Sequence, residues 1–157
     1  MRVYLVHHAN AYAASENPER PLTALGEGQA DRVGRFLRDA GVRPARILHS
    51  DKLWTRQTAE RVADVLGDPA LPAMPAYAIT NDAPVGPFVA DVAKGGGDIV
   101  MTGHSEFLQR AGSQLLCGDE NAAVIDFKPG NSAVFCLEGE GGRWWVSYAL
   151  RQEHMGV

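Results

Sequence analysis

Histidines stand at two places where an apolar run gives way to polar residues, and imidazole is the side chain best able to attack, bind or exchange a proton near neutral pH. His7 and His8 follow the unbroken run Val3-Tyr4-Leu5-Val6, and His104 follows Asp98-Ile99-Val100-Met101-Thr102-Gly103. Short apolar runs bounded by polar residues read as central strands buried on both faces. In open α/β sheets ligands bind just outside the carboxyl ends of such strands, and all three histidines fall there. Adjacent side chains on a strand point to opposite faces, so His7 and His8 share a pocket only if the chain turns at His8. Without that turn, one is a satisfied buried side chain and the other is solvated. Three convergent imidazoles could also hold a metal, with Asp82 as a further ligand. No spacing here matches a metal-ligand signature, and an aspartate before Ala83-Pro84 reads equally as a helix cap.

The elements that must position these residues are legible in outline. From Ala11 to Arg20 a small, polar stretch predicts a long loop over the end of the first strand. Thr23 is the expected N-cap of a first helix, with Glu27 in its early turns. Ala30, Val33, Leu37 and Ala40 form its apolar stripe, and Gly41 is the stop. Gly26 and Gly34 weaken this helix relative to alanine and mark expected close approaches. Ile47-Leu48 predicts a short strand ending at His49-Ser50-Asp51. A second helix follows, capped by Ser50 or Asp51, with Ala59, Val62, Ala63 and Leu66 inside and Gly67 closing it.

A proline-rich segment from Asp68 to Pro75 and an ill-defined stretch around Tyr77 and Ile79 lead to a third helix. Its start is expected at Asn81 to Pro84, with Val85, Phe88, Val89 and Val92 buried. Gly95-Gly96-Gly97 precedes a strand rather than a helix, so it reads as a loop and not as a phosphate-binding fingerprint. Ser105 is the expected cap of a helix carrying Leu108, Ala111 and Leu115. Ala123 to Phe127, Ala133 to Leu137 and Trp144 to Tyr148 read as strands, with a glycine turn at Gly139 to Gly142. Strands alternating with helices predict a mostly parallel sheet with helices on both faces, a three-layer αβα sandwich.

At 157 residues the expectation is one domain, spanning 1–157. The net charge of −4 gives no electrostatic reason to expect nucleic acid or an anionic membrane as partner. Cys117 and Cys136 form no CxxC pair and read as buried thiols of a reducing compartment. The apolar run after Arg2 is too short for a signal peptide or a membrane span. Cytoplasmic is therefore the expected location.

In order and spacing these motifs resemble the histidine phosphatase superfamily, with its phosphoglycerate-mutase-like fold, and within it the small phosphohistidine phosphatases of the SixA type. The resemblance rests on Val3 to Asn10, Arg20-Pro21-Leu22-Thr23 with Gly26 and Gln29-Ala30, Ser50 through Gln57-Thr58-Ala59, Gly103-His104 with Phe107-Leu108, and Gly130 to Leu137. It implies that His8 attacks phosphorus and carries the phosphoryl group, and that His104 hydrogen-bonds the phosphoryl oxygens. Covalent capture on imidazole divides one hard displacement into two easier ones. Ser105 and the amides after it open a helix N-terminus, a ready anion site.

The departures from the family pattern are specific. His7 stands where the family has arginine before the nucleophile, and Ala9 where it has glycine. Trp54 stands at the second arginine position. The acid that many relatives place near Ala76 to Ala78 is missing, as it is in many small phosphohistidine phosphatases; an imidazole leaving group is easily protonated. Indole offers one N–H and no charge in place of a bidentate cation. Arg20 is the best local substitute, Asn10 and Lys52 are further candidates, and Arg56 reads as a solvated helix residue. The resemblance implies no cofactor. Two readings follow: a phosphohistidine phosphatase with a remodelled pocket, acting on a phosphorylated protein or a small phosphoramidate or phosphate ester, or a non-catalytic relative that binds a phosphorylated partner or anionic metabolite.

Overall fold

The computed structural model describes every residue except 69, 70, 72, 78, 128, 129 and 157. Six strands form one sheet: β1 (Arg2–His7), β2 (Arg46–His49), β3 (Ala73–Pro75), β4 (Ile99–Gly103), β5 (Val134–Glu140) and β6 (Arg143–Leu150). Their order is β3-β2-β4-β1-β5-β6. The β1–β4, β2–β4 and β2–β3 pairings are parallel, and β1–β5 and β5–β6 are antiparallel. The sheet is thus mostly parallel, with β1 and β4 at its centre, fully buried apart from their ends, as their apolar runs predict. Register His7↔Gly103 brings both carboxyl ends level. This is what puts His8 and His104 side by side.

Helices cover both faces. On one lie α1 (Ala24–Asp39) and α2 (Leu53–Leu66), whose Val33, Leu37, Ala59 and Val62 pack on Tyr4, Val6, Ile47 and Val100. On the other, α3 (Gly86–Ala93) and α4 (Ser105–Cys117) set Phe88, Val92, Phe107, Leu108 and Ala111 against Val3, Leu5, Ile99 and Met101. Alternation along each central strand feeds the two cores in turn. The result is the expected three-layer αβα sandwich.

Helix α1 begins where its sequence says it should, with Thr23 Oγ1 accepting from the Gly26 amide. Two of its three glycines mark contacts. A Cβ on Gly26 would lie 1.9 Å from the Asn10 carbonyl oxygen, and one on Gly34 would lie 2.7 Å from Val65 Cβ. The β5–β6 hairpin turns on Gly141-Gly142, both at positive φ, as a two-residue turn requires.

Several expectations need correction. Ala40 is an exposed C-cap rather than part of the buried stripe, and Ala63, Leu66 and Val89 are only partly buried. Helix α2 starts at Leu53 with Lys52 as N-cap, and Ser50 and Asp51 precede it. Helix α3 is capped by Val85, while exposed Asp82 accepts instead from Thr80 Oγ1. His104, not Ser105, holds the N-cap position of α4, and Ser105 is the first helical residue. Residues 123–127 form no strand. Ile125 and Phe127 are buried side chains on an irregular segment, packed over the α4 side of the sheet. Cys136 is buried, but Cys117 at the end of α4 is exposed. Strand β3 lies inside the proline-rich segment, where proline suits the end of an edge strand; of that segment, Pro69, Ala70 and Pro72 lie outside the described residues, as does Ala78. Among the described residues no helix is long and apolar enough to cross a membrane.

Candidate active site

The chain does turn at His8. His7 N–H still reaches the Ala133 carbonyl, His8 N–H reaches Gly103, and the Ser132 amide donates to the His8 carbonyl. The two imidazoles therefore face one pocket, their centroids 4.5 Å apart. His104 joins them with its ring 5.6 Å from His8. Trp54, from the first turn of α2, stands edge-on to both, 6.2 Å from His8 and 6.0 Å from His104. Arg20 lays its guanidinium 4.3 Å above the Trp54 ring and donates from Nε to the Tyr12 carbonyl. Its backbone is left-handed, φ 53°, which is uncommon for a side chain of this size and fixes where the loop delivers it.

The loop that follows β1 is held by side chains of α1 and α2. Gln29 Oε1 accepts from the Asn10 amide, Gln57 Oε1 from Leu22, and Thr58 Oγ1 from Ala9. These three contacts give the Gln29 and Gln57-Thr58 motifs a physical role. Asn10 is only partly available to a ligand: its Oδ1 is taken by Thr23 Oγ1, which leaves the amide N–H₂. Ser105 lies at the amino end of α4, beside His104. Arg56 pairs with Glu60 on an exposed helix face, and Lys52 Nζ lies 3.7 Å from Asp51. Ser50, expected as a helix cap and a motif residue, and Thr55, which carried no separate signal in the sequence, both lie beside His104. Ser50 Oγ sits 3.2 Å from His104 Nε2 and 2.6 Å from Thr55 Oγ1.

Electrostatics set the protonation states. Burial, reinforced by neighbouring His7, pushes the His8 imidazole down to about 3. Burial also lowers His104, to about 4, with His7 and Lys52 adding to the effect. His7 is likewise lowered by burial, opposed by its bond to the Gly130 carbonyl. At neutral pH the site thus holds neutral imidazoles, with Arg20 and Lys52 as nearby cations. His8 Nδ1 lies 2.8 Å from the Ala9 carbonyl and must donate to it, so Nε2 carries the lone pair. Two buried side-chain polar atoms, Trp54 Nε1 and Ser132 Oγ, have no partner among the described residues. Although the three histidines gather, no group of three His, Cys, Asp or Glu among the described residues is arranged to hold a metal ion.

These shifts predict how stability depends on pH. An unfolded histidine titrates near ~6.5, and the folded values lie below that, so the unfolded chain binds more protons between the two. Stability is complete above about pH 7 and falls as pH drops through ~6.5 toward the folded values. His8 and His104 should each cost about 1–2 kcal/mol at pH ~5. Urea denaturation at the two pH values checks this, because His8→Gln should lose its share of the slope.

Comparison with known proteins gives matches in sequence and in fold. Residues 3–74, a little under half of the chain, match the family model of the histidine phosphatase superfamily (branch 1). The probable phosphoglycerate mutase GpmB of Klebsiella pneumoniae is 39% identical over 72 residues, which cover 43% of this chain and 33% of that protein. The aligned region thus spans about a third of the curated relatives it matches. A solved structure of the protein histidine phosphatase SixA complexed with tungstate superposes with a TM-score of 0.84 at 22% identity, covering 99% of this chain and all of that one. The alpha-ribazole phosphatase of Shigella flexneri gives 0.74 at 16% identity, covering 97% of each chain. At these identities the solved structures speak for the fold alone. The chain is therefore matched to the histidine phosphatase superfamily, in sequence through residues 3–74 and in fold through nearly all of its length.

Proposed function

We propose that this protein is a phosphatase that works through a phosphohistidine on His8, on a phosphohistidine protein or a small phosphoramidate or phosphate ester. One observation carries the reading: His8 is held neutral beside His104, with Nδ1 tied to the Ala9 carbonyl so that Nε2 carries the lone pair. In the first step Nε2 bonds to phosphorus as the bond to the leaving nitrogen or oxygen breaks, and the leaving group takes a proton from solvent water. Water then attacks the same phosphorus, releases inorganic phosphate and restores the imidazole. His7, His104, Arg20, Ser105 and the free amide of Asn10 are the groups proposed to hold the phosphoryl oxygens, with the unpartnered Trp54 N–H as a neutral donor. The kinship in fold to a SixA complexed with tungstate supports an oxyanion as ligand.

The test is hydrolysis of N-phosphoimidazole by the purified protein, followed by release of inorganic phosphate, with tungstate as inhibitor. Turnover that tungstate suppresses supports the reading, and tungstate binding without turnover replaces it with a second. That second reading, a non-catalytic binder of a phosphorylated partner or anionic metabolite, is favoured by Trp54, which fills an arginine position with an uncharged ring capped by Arg20. Trp54→Arg separates the two. A weakened enzyme should gain at least about tenfold in rate when a transition-state donor is restored, whereas a pocket adapted around indole should gain nothing.

A further inference from the structure

We propose that Ser50 and Thr55 fix the tautomer of His104, holding a proton on Nε2 so that Nδ1 is the ring atom that meets a bound anion. The inference rests on the reading of His104 as a phosphoryl-binding group. Five contacts meet in a buried knot at the start of α2, one of them a long 3.4 Å donation from Thr55 Oγ1 to the Ser50 carbonyl, which like that of Lys52 can only accept. The Lys52 amide donates to Ser50 Oγ at 3.2 Å, and Thr55 Oγ1 lies 2.8 Å from the Lys52 carbonyl. Ser50 Oγ lies 2.6 Å from Thr55 Oγ1 and 3.2 Å from His104 Nε2. Ser50 and Thr55 are both fully buried, so water supplies no alternative partner.

Counting protons leaves one consistent arrangement. A hydroxyl has one hydrogen to give and two lone pairs. The Lys52 carbonyl can only accept, so Thr55 donates to it. Thr55 must then accept from Ser50, which uses Ser50's single hydrogen. Ser50 therefore accepts from both the Lys52 amide and His104 Nε2–H. The reverse arrangement, with Thr55 donating to Ser50 and Ser50 to His104, would press the Thr55 oxygen against the Lys52 carbonyl at 2.8 Å with no hydrogen between them.

The consequence is chemical. A neutral His104 so fixed presents a lone pair from Nδ1. It can hold a phosphoryl oxygen only by gaining a proton there, or by accepting one from a phosphoryl group that already carries it. Anion binding is then coupled to proton uptake at His104. The groups that bear on this proton are His8 and His7 at the end of β1, Arg20 from the loop, and Lys52 and Asp51 ahead of α2; of these only Asp51 favours it. The two hydroxyl residues act through His104 as positioning residues and touch no substrate.

Ring ¹H–¹⁵N correlation spectra of histidine-labelled protein, without anion at pH ~7.5, give the test. In wild type, His104 should be the Nε2–H tautomer, and saturating sulfate in mild acid should protonate Nδ1. Thr55→Val removes the acceptor of the Ser50 proton, which then has only His104 Nε2 to receive it, so the tautomer should invert to Nδ1–H. Sulfate affinity should lose one proton's worth of pH dependence, about tenfold per pH unit. Thr55→Ser should restore both wild-type behaviours. Ser50→Ala is the second route if Thr55→Val does not fold, and it should yield a mixture of tautomers. Nδ1–H in wild type, or a tautomer unmoved by these variants, overturns the proposal. The spectra do not depend on turnover, so a protein that never hydrolyses a phosphoramidate can still pass or fail.

Discussion

His8→Ala should abolish phosphoryl capture and lower turnover of a phosphoramidate on the order of 1000-fold or more, the usual consequence of deleting a covalent nucleophile. The protein should remain folded, because among the described residues the His8 side chain hydrogen-bonds the carbonyl of the next residue and meets other elements through ring contacts alone. Removing an imidazole held neutral by burial should even raise stability in mild acid. Incubation with a phosphoramidate donor should leave acid-labile, base-stable phosphate on the wild type and none on His8→Ala. The linkage should be to Nε2, since Nδ1 is committed to Ala9. His7→Ala should still label, because the imidazole that stands beside His104 is that of His8. Labelling that survives His8→Ala and disappears in His7→Ala would move the nucleophile by one residue.

Gly26→Ala should produce the largest loss of stability from the smallest change. The new methyl group would lie 1.9 Å from a backbone oxygen, that of Asn10, which cannot rotate away as a side chain could. That oxygen also accepts the Thr23 amide, so α1 and the loop must separate together. We expect a cost of about 2–3 kcal/mol and a fall in melting temperature of roughly 5–10 °C. Because Asn10 is two residues from His8, turnover should fall as well, and thermal denaturation alongside a rate assay measures both. Gly28→Ala is the control. A Cβ there meets nothing within 4 Å, and alanine should stabilise the helix slightly.

What could be read from the chain follows from how local each signal is. The apolar runs of β1 and β4 announce strands buried on both sides, and the Thr23 cap with Gly26 and Gly34 announces a helix pressed against its neighbours. Each of those features is written within a few residues. Residues 123–127 misled because apolar character reports burial and not backbone pairing: Ile125 and Phe127 are buried without joining the sheet. Strand β3 was hidden by its prolines, and Cys117 by an apolar helix whose last residue reaches solvent. The gathering of the histidines needed the turn at His8, which no periodicity encodes. The place of Ser50 at the site depends on β2 ending beside β4, 54 residues away in sequence. Trp54 could be located as a departure from a pattern, yet only the fold sets it on edge between two imidazoles with Arg20 across its face.

The support of the loop after β1 has a consequence for how such a pocket changes over time. Its backbone hangs on Gln29, Gln57 and Thr58, none of which belongs to the ring cluster of His7, His8, His104 and Trp54. Scaffold and reagents are thus separately encoded. Substitution at the reagent positions alters charge and chemistry while the three clamps keep the loop in place, so one backbone can be tried with many pockets. Under the proposed function, the same modularity makes positions 7 and 54 the ones at which to select for new substrates.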